Sequence, residues 1–210
     1  MQAAESRHES KTKLLDAAQH VIRAKGYSAT RIEDICEAAG LTKGSFFHHF
    51  SGKEELALEA AEYFSAFADR IFSTAPYRSL PDPLDRLLGY VDFRKAILQG
   101  ELPDYTCLLG TMVQETYETH PQIRKACGRA MSAHAAALET DIAAAMKTYA
   151  VHGNWSARSL ALHMQSVLQG AFILAKASNG PEVAAACLDH LRRYIELLFQ
   201  HPQTEGSLAQ

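Results

Sequence analysis

The feature that most limits what this chain can fold into is the period of its apolar residues, which is helical almost from end to end. Leu14, Ala18, Val21 and Ile22 recur at the spacing of one helix face, and Gly26 follows as a stop. Thr30 is placed to cap a second helix, with Glu33 three residues on as in a capping box. Ile32, Ile35, Cys36 and Ala39 form its apolar face, and Gly40 ends it. A third short helix starts after Thr42 and is closed by Ser51-Gly52. A longer one is expected from about Lys53, with Leu56, Ala60, Tyr63, Phe64, Phe67 and Ile71 along one side. Prolines in "STAPYRSLPDP" (73–83) mark a loop. Helical spacing resumes at Leu84, Leu87, Leu88, Val91 and Leu98, and stops at Gly100. Pro103 and Pro121 each suit the first turn of a helix. Ile123, Met131, Leu138, Ile142 and Met146 describe a long helix over about 122–150, which "VHGNW" (151–155) interrupts. The last two helices are expected over 156–178 and 182–200. No stretch alternates apolar with polar residues, so the expected fold is all-α, with about nine helices and with 1–9 and 201–210 as frayed tails.

Composition narrows the class. With 210 residues, 47% hydrophobic and 21% charged, the chain can bury a substantial core. No apolar run nears the 18 or so residues that a membrane span needs, and the polar, acid-bearing start is unlike a signal peptide, so a cytoplasmic location is expected. Cys36, Cys107, Cys127 and Cys187 are scattered without a C-x-x-C pair or zinc-like spacing, so thiols are expected, with no metal and no cofactor. The net charge of −3 does not announce a polyanion binder. Its distribution is more informative. Residues 1–55 carry as many basic as acidic side chains, and from Gly40 to Lys53 there are two lysines, two histidines and no acid. A small positive island therefore sits on a mildly acidic body.

That island is the segment "TKGSFFHHF" (42–50). Three short helices, the second and third joined by "AAGLTKG", describe a helix-turn-helix over residues 10–52. Gly40 makes the tight turn, Leu41 returns to the core, and the third helix can stand proud of the body. Its first residues Thr42, Lys43 and Ser45 are then placed to face base edges in a major groove, while lysines fix register on phosphates. Phe46 and Phe50 are expected to root the helix in the core. A metal site at His48 and His49 is disfavoured, because adjacent helical residues do not face one way.

The run "TRIEDICEAAGLTKGSFFHHFSGKEEL" resembles the DNA-binding signature of the TetR family of bacterial transcriptional repressors, and the likeness extends over about residues 11–64 without a gap. The resemblance implies a phosphate held at the Thr30 cap, base or backbone contacts from Lys43 and Ser45, and a phosphate contact from Lys53. It also puts His48 at a variable aromatic position and His49 at a frequent histidine. Phe47 stands where the family commonly has tyrosine; lacking the hydroxyl it cannot donate to a phosphate, although its ring could touch a thymine methyl.

For residues 53–200 the resemblance implies a regulatory and dimerisation region: a homodimer formed by the last two helices, and a pocket for a small-molecule inducer. The broad apolar faces of 156–178 and 182–200 suit close helix pairing, and Leu168, Phe172, Cys187, Leu191, Tyr194, Ile195 and Leu198 are the interface candidates, with subunit core as the competing role. Tyr63, Phe64, Phe67, Tyr90, Phe93, Met112, Met131 and Met164 are the pocket candidates, or ordinary core. Cys107, near the start of a helix in "PDYTCLLG", is a candidate electrophile or oxidant sensor with Lys176 lowering its pKa; the alternative is a small packed residue.

The function expected is a ligand-responsive repressor that binds a palindromic double-stranded DNA operator as a dimer and is released by an inducer, with thiol sensing as the alternative. An enzyme is the rival class. No Gly-rich phosphate loop, H-E-x-x-H or G-x-S-x-G is present; Asp104, Glu115, Glu118 and His120 could in principle sit together, but spacing alone does not assemble a site. A helical protein-interaction module is the third, which weak salt dependence of binding would favour.

Overall fold

The structure, a computed structural model, describes the backbone of residues 2–200 and side chains from 7 to 199. Among the described residues all regular structure is helical: α1 (Gln2–Lys25), α2 (Ile32–Ala39), α3 (Lys43–His49), α4 (Lys53–Ser73), a 3-10 turn (Pro76–Ser79), α5 (Pro83–Ala96), α6 (Leu102–Tyr105), α7 (Leu108–Thr116), α8 (Pro121–Thr148), α9 (Ala157–Ser178) and α10 (Glu182–Gln200). The helix α1 begins at Gln2, where the sequence suggested a tail to residue 9. The tail expected over 201–210 lies outside the described residues. Pro103 opens only the single turn α6; the chain then extends at Thr106 and Cys107 caps a new helix.

The chain divides into two compact units, Met1–Ile71 with Glu101–Met131, and Phe72–Gly100 with Ser132–Gln210. The first is larger than the expected 10–52 module, because α4, α7 and the start of α8 share its core and α6 packs on α1. Leu14, Ala18 and Ile22 of α1 meet Ile35, Phe46, Phe50 and Leu56, together with Leu108, Met112, Ile123 and Cys127, all buried. Each such Leu, Ile or Phe contributes about 1.5–3 kcal/mol by leaving water, so the helix-turn-helix draws much of its stability from outside its own segment.

In the second unit α10 packs on α9 and α5. Tyr90, Leu138, Ile142, Leu160, Met164, Leu168, Phe172, Leu188, Leu191 and Ile195 are buried there. Asp82 caps α5 by accepting from Leu84 N and Asp85 N at 2.7 and 3.2 Å. Lys95 on α5 pairs with Asp189 on α10 at 2.7 Å, and Asp92 with Arg192 at 3.0 Å.

Candidate nucleic-acid interface

The turn that sets up α3 follows from its residues. Gly40 ends α2 with φ +63°, and its N–H reaches the carbonyls of Cys36 and Glu37; a side chain there would strain the left-handed backbone. Leu41 N then donates to Cys36 O at 2.9 Å. Thr42 caps α3 by accepting from Ser45 N at 3.2 Å. On α3, Phe46 is 0% and Phe50 1% exposed, while Phe47 between them is 56% exposed. Phe46 is thereby the root and Phe47 the outward ring of a seven-residue helix.

The other predicted contacts fall differently. Lys43 is exposed, but its ammonium is ion-paired with Glu33 of α2. Thr42 and His48 are exposed and Ser45 half-buried. His49 is half-buried, with Nε2 2.7 Å from Ser10 Oγ on α1; desolvation first, then the cations nearby, hold its pKa below the usual histidine range. A hollow of about 350 Å³ opens beside α3, lined by Ser28, Thr30, Arg31, Ile32, Glu33, Lys43, Phe47 and Lys53. Its charged rim is three cations against one acid. Sequence reasoning passed over Arg31, whose side chain is 76% exposed, and read Glu33 only as a capping partner.

One predicted role is corrected. Thr30 is not the cap of α2: it is 1% exposed, and its hydroxyl donates to Gly26 O at 2.6 Å. The cap is Arg31, whose N–H donates to Asp34 Oδ2 at 2.9 Å, so the capping box sits one residue later and Glu33 is left for Lys43. Lys53, expected to touch a phosphate, lines the hollow, where its Nζ donates to Thr30 O at 2.9 Å and Tyr27 O at 3.0 Å and lies 4.4 Å over the Tyr27 ring. Desolvation lowers its pKa.

The α1–α2 turn is held from its other side as well. Glu115 of α7 accepts from Ser28 N at 2.7 Å and Tyr27 N at 3.2 Å, and Gly26 has φ +88°. His120 meets Tyr27 edge-on at 5.2 Å. Asp104 accepts from Glu101 N at 2.8 Å. Glu115 and His120 thus serve the α1–α2 turn and Asp104 the start of α6, while Glu118 is exposed. Among the described residues no group of three or more His, Cys, Asp or Glu could hold a metal, and no helix is long and apolar enough to cross a membrane.

Residues 14–60 match the bacterial regulatory proteins of the tetR family, and residues 83–194 match a tetracyclin repressor-like C-terminal domain, together well over half of the chain. The chain belongs to the tetR family. The repressor KstR2 of Mycobacterium tuberculosis is 39% identical over 80 residues, 36% of this chain and 38% of that one. The repressor DhaR of Mycobacterium sp. strain GP1 is 34% identical over 103 residues, 49% of this chain and 50% of that one. The chain thus spans half or less of the length of these curated relatives. A TetR family regulator from Agrobacterium tumefaciens has the same fold at TM-score 0.80 and 16% identity, over 90% of this chain and 98% of that one. A regulator from Chloroflexus aurantiacus does so at 0.80 and 23%, over 91% and 96%.

The regulatory candidates of this tetR family member are distributed between the units. Tyr63, Phe64, Met112 and Met131 pack in or against the core of the first. Tyr90, Phe93 and Met164 belong to the second. Phe67, in the first, is 46% exposed. Cys107 is half-buried at the cap of α7, its Sγ accepting from Gly110 N at 3.4 Å. The cation beside it is Arg23, which donates to Thr106 O at 3.3 Å, whereas Lys176 stands in the last turn of α9, in the other unit. Burial pushes the Cys127 thiol up to about 12.

The interface candidates need the largest correction. Leu168, Phe172, Leu191 and Ile195 lie in the second unit's own core, and Cys187 and Leu198 are half-buried; only Tyr194 is exposed. The outward apolar residues of α9 and α10 are Leu162, Ile173, Leu174, Tyr194 and Leu197. Both helices carry more apolar surface than one core can cover, and periodicity alone did not say which stripe faces in.

Proposed function

We propose that this chain is a ligand-responsive repressor that binds a palindromic DNA operator as a homodimer, with α3 in the major groove. The observation that carries this is the outward Phe47 beside Thr42, Lys43, Ser45 and His48, on a helix rooted by Phe46 and Phe50. Thr42, Lys43, Ser45 and His48 supply donors to bases and phosphates, Phe47 an apolar face for a thymine methyl, and Arg31 a phosphate contact at the rim of the hollow. His49 acts from the edge of this surface, tied to Ser10. Thr30 and Lys53 shape the turn that presents it. The exposed apolar residues of α9 and α10 form the dimer contact, which sets two α3 helices one helical turn of DNA apart. A small-molecule inducer that favours a different arrangement of the regulatory helices lowers operator affinity by shifting the population.

The experiment is selection of binders from a random duplex DNA pool by the purified protein, followed by sequencing. Enrichment of a palindrome with half-sites about 10 base pairs apart, with affinity falling steeply as salt rises, is the expected result. A pool without enrichment, or binding indifferent to salt, would refute the reading.

A further inference from the structure

In the second unit a cationic cluster is built among aromatic rings. Arg94 of α5 is half-buried, its guanidinium 4.0 Å over the Phe72 ring and 5.3 Å from that of Tyr90. Its Nε donates to Tyr90 Oη at 2.9 Å, and NH2 lies 3.0 Å from His134 Nε2. Tyr90 Oη is 2.9 Å from the same nitrogen. With Tyr90 donating and Arg94 always protonated, His134 Nε2 serves as acceptor, so both partners of Arg94 are neutral. Among the described residues Arg94 has no carboxylate partner. Nor does its NH1 group have a protein acceptor among them. The neighbouring arginines do not restore balance, because Arg78 and Arg86 share the single carboxylate of Asp141, at 2.6 and 3.0 Å. Asp82 adds a longer-range attraction to Arg86, so the cluster holds three guanidinium groups against one directly paired acid. Half-buried cations are ordinarily matched by an acid, since desolvation otherwise opposes them. Here the free edge of Arg94 is a planar fork suited to a carboxylate. Around it Phe72, Phe93 and Tyr77 pack with centroid distances of 5.8–5.9 Å; Phe72 and Tyr77 are buried and Phe93 is half-buried, so Phe93 is the ring placed to meet the body of the same molecule.

We infer that Arg94 is the anion-binding residue of an inducer site, and that the inducer is a small organic carboxylate with an apolar body. The inference rests on the reading that a small molecule releases this regulator from DNA. Tyr90 and His134 orient the guanidinium; Phe72 stacks beneath it. Charge selects the ligand class, and the rings favour an aryl or alkyl chain over a bare anion such as chloride.

The test is a melting-temperature series on the full chain with sodium benzoate and sodium octanoate, against benzamide and octanamide, with sodium chloride matching ionic strength. The carboxylates are expected to raise the melting temperature of the wild type in a saturable way and the amides to leave it unchanged. Arg94→Met is expected to weaken carboxylate affinity by about tenfold or more, with Arg94→Lys intermediate, because a charge-assisted hydrogen bond is lost in one and its fork geometry in the other. Far-ultraviolet circular dichroism of each unliganded variant checks folding; the wild-type comparison of acid with amide does not depend on any variant. Equal response to amide and acid, no response to either carboxylate, or an unchanged response in Arg94→Met would each overturn the inference. Failure of the wild type to enrich any DNA sequence would instead overturn the regulator reading, since the melting series contains no DNA.

Discussion

The α1–α2 turn offers a quantitative test of how the helix-turn-helix is held. A Cβ on Gly26 would stand 2.2 Å from Glu115 Oε1, on a backbone with φ +88°. Left-handed strain for alanine costs about 1–2 kcal/mol. The contact itself is relieved by moving a flexible carboxylate, but that movement abandons Tyr27 N and Ser28 N. Ser28 is exposed and takes water in exchange; Tyr27 is buried, so its unmet donor costs about 1–2 kcal/mol. Gly26→Ala should therefore destabilise by about 2–4 kcal/mol, and Glu115→Ala by about 1–2 kcal/mol. The double variant should cost no more than Gly26→Ala alone, because the clamp can be lost only once, which leaves a coupling of about 1–2 kcal/mol in the cycle. Urea unfolding of the four proteins, with equal slopes, measures it. Additive losses would refute the clamp.

Other consequences follow from single residues. Phe47→Ala should leave stability within about 0.5 kcal/mol but abolish enrichment of the selected operator, whereas Phe46→Ala should cost about 3–5 kcal/mol; equal thermal stability of the two would contradict the assignment of root and edge. Glu33→Gln frees Lys43, so binding to unrelated duplex DNA should tighten a few-fold and the salt slope steepen by about one; filter binding at several salt concentrations checks this, and an unchanged slope would argue against the restraint. Burial first, and then Arg94 and Arg78, push His134 down to about 3, while the unfolded chain takes up that proton near the ordinary 6.5. The unfolded state thus binds more protons between these values, and stability is complete above about 6.5 and lost as pH falls, by up to about 1.4 kcal/mol per unit. His134→Gln should flatten that dependence in urea midpoints from pH 7 to 5. If α9 and α10 form the proposed dimer contact, Leu174→Glu with Leu197→Glu should sediment as folded monomers and the wild type as a dimer, while Leu168→Ala should instead lower stability by about 2–5 kcal/mol.

Local signals in the sequence were sufficient for the helix-turn-helix. Gly26 and Gly40 stop helices because each takes positive φ, and Phe46 and Phe50, four residues apart, share one face of a helix too short to bury both sides. What was missed depends on distant partners. Thr30 has the composition of a cap, but Gly26 O draws its hydroxyl inward, and Arg31 caps instead. Lys53 reads as a solvent cation until carbonyls more than twenty residues earlier are seen around it. On α9, Leu162, Ile173 and Leu174 are as apolar as Leu160, Leu168 and Phe172, and only packing decides which set is covered. Arg94 bears no motif at all; its significance is an imbalance of charge, visible only once its neighbours are in place.

The turn at 26–30 also has a use as an instrument. Its amides at Tyr27, which is buried, and Ser28, which is exposed, lie in a turn and have no backbone carbonyl partner, so only the clamp slows their exchange with deuterated water. Their acceptor is a carboxylate on α7, outside the matched N-terminal segment. The deuterium uptake of two backbone positions beside the recognition helix therefore gauges how firmly α7 is seated, without a label and without DNA.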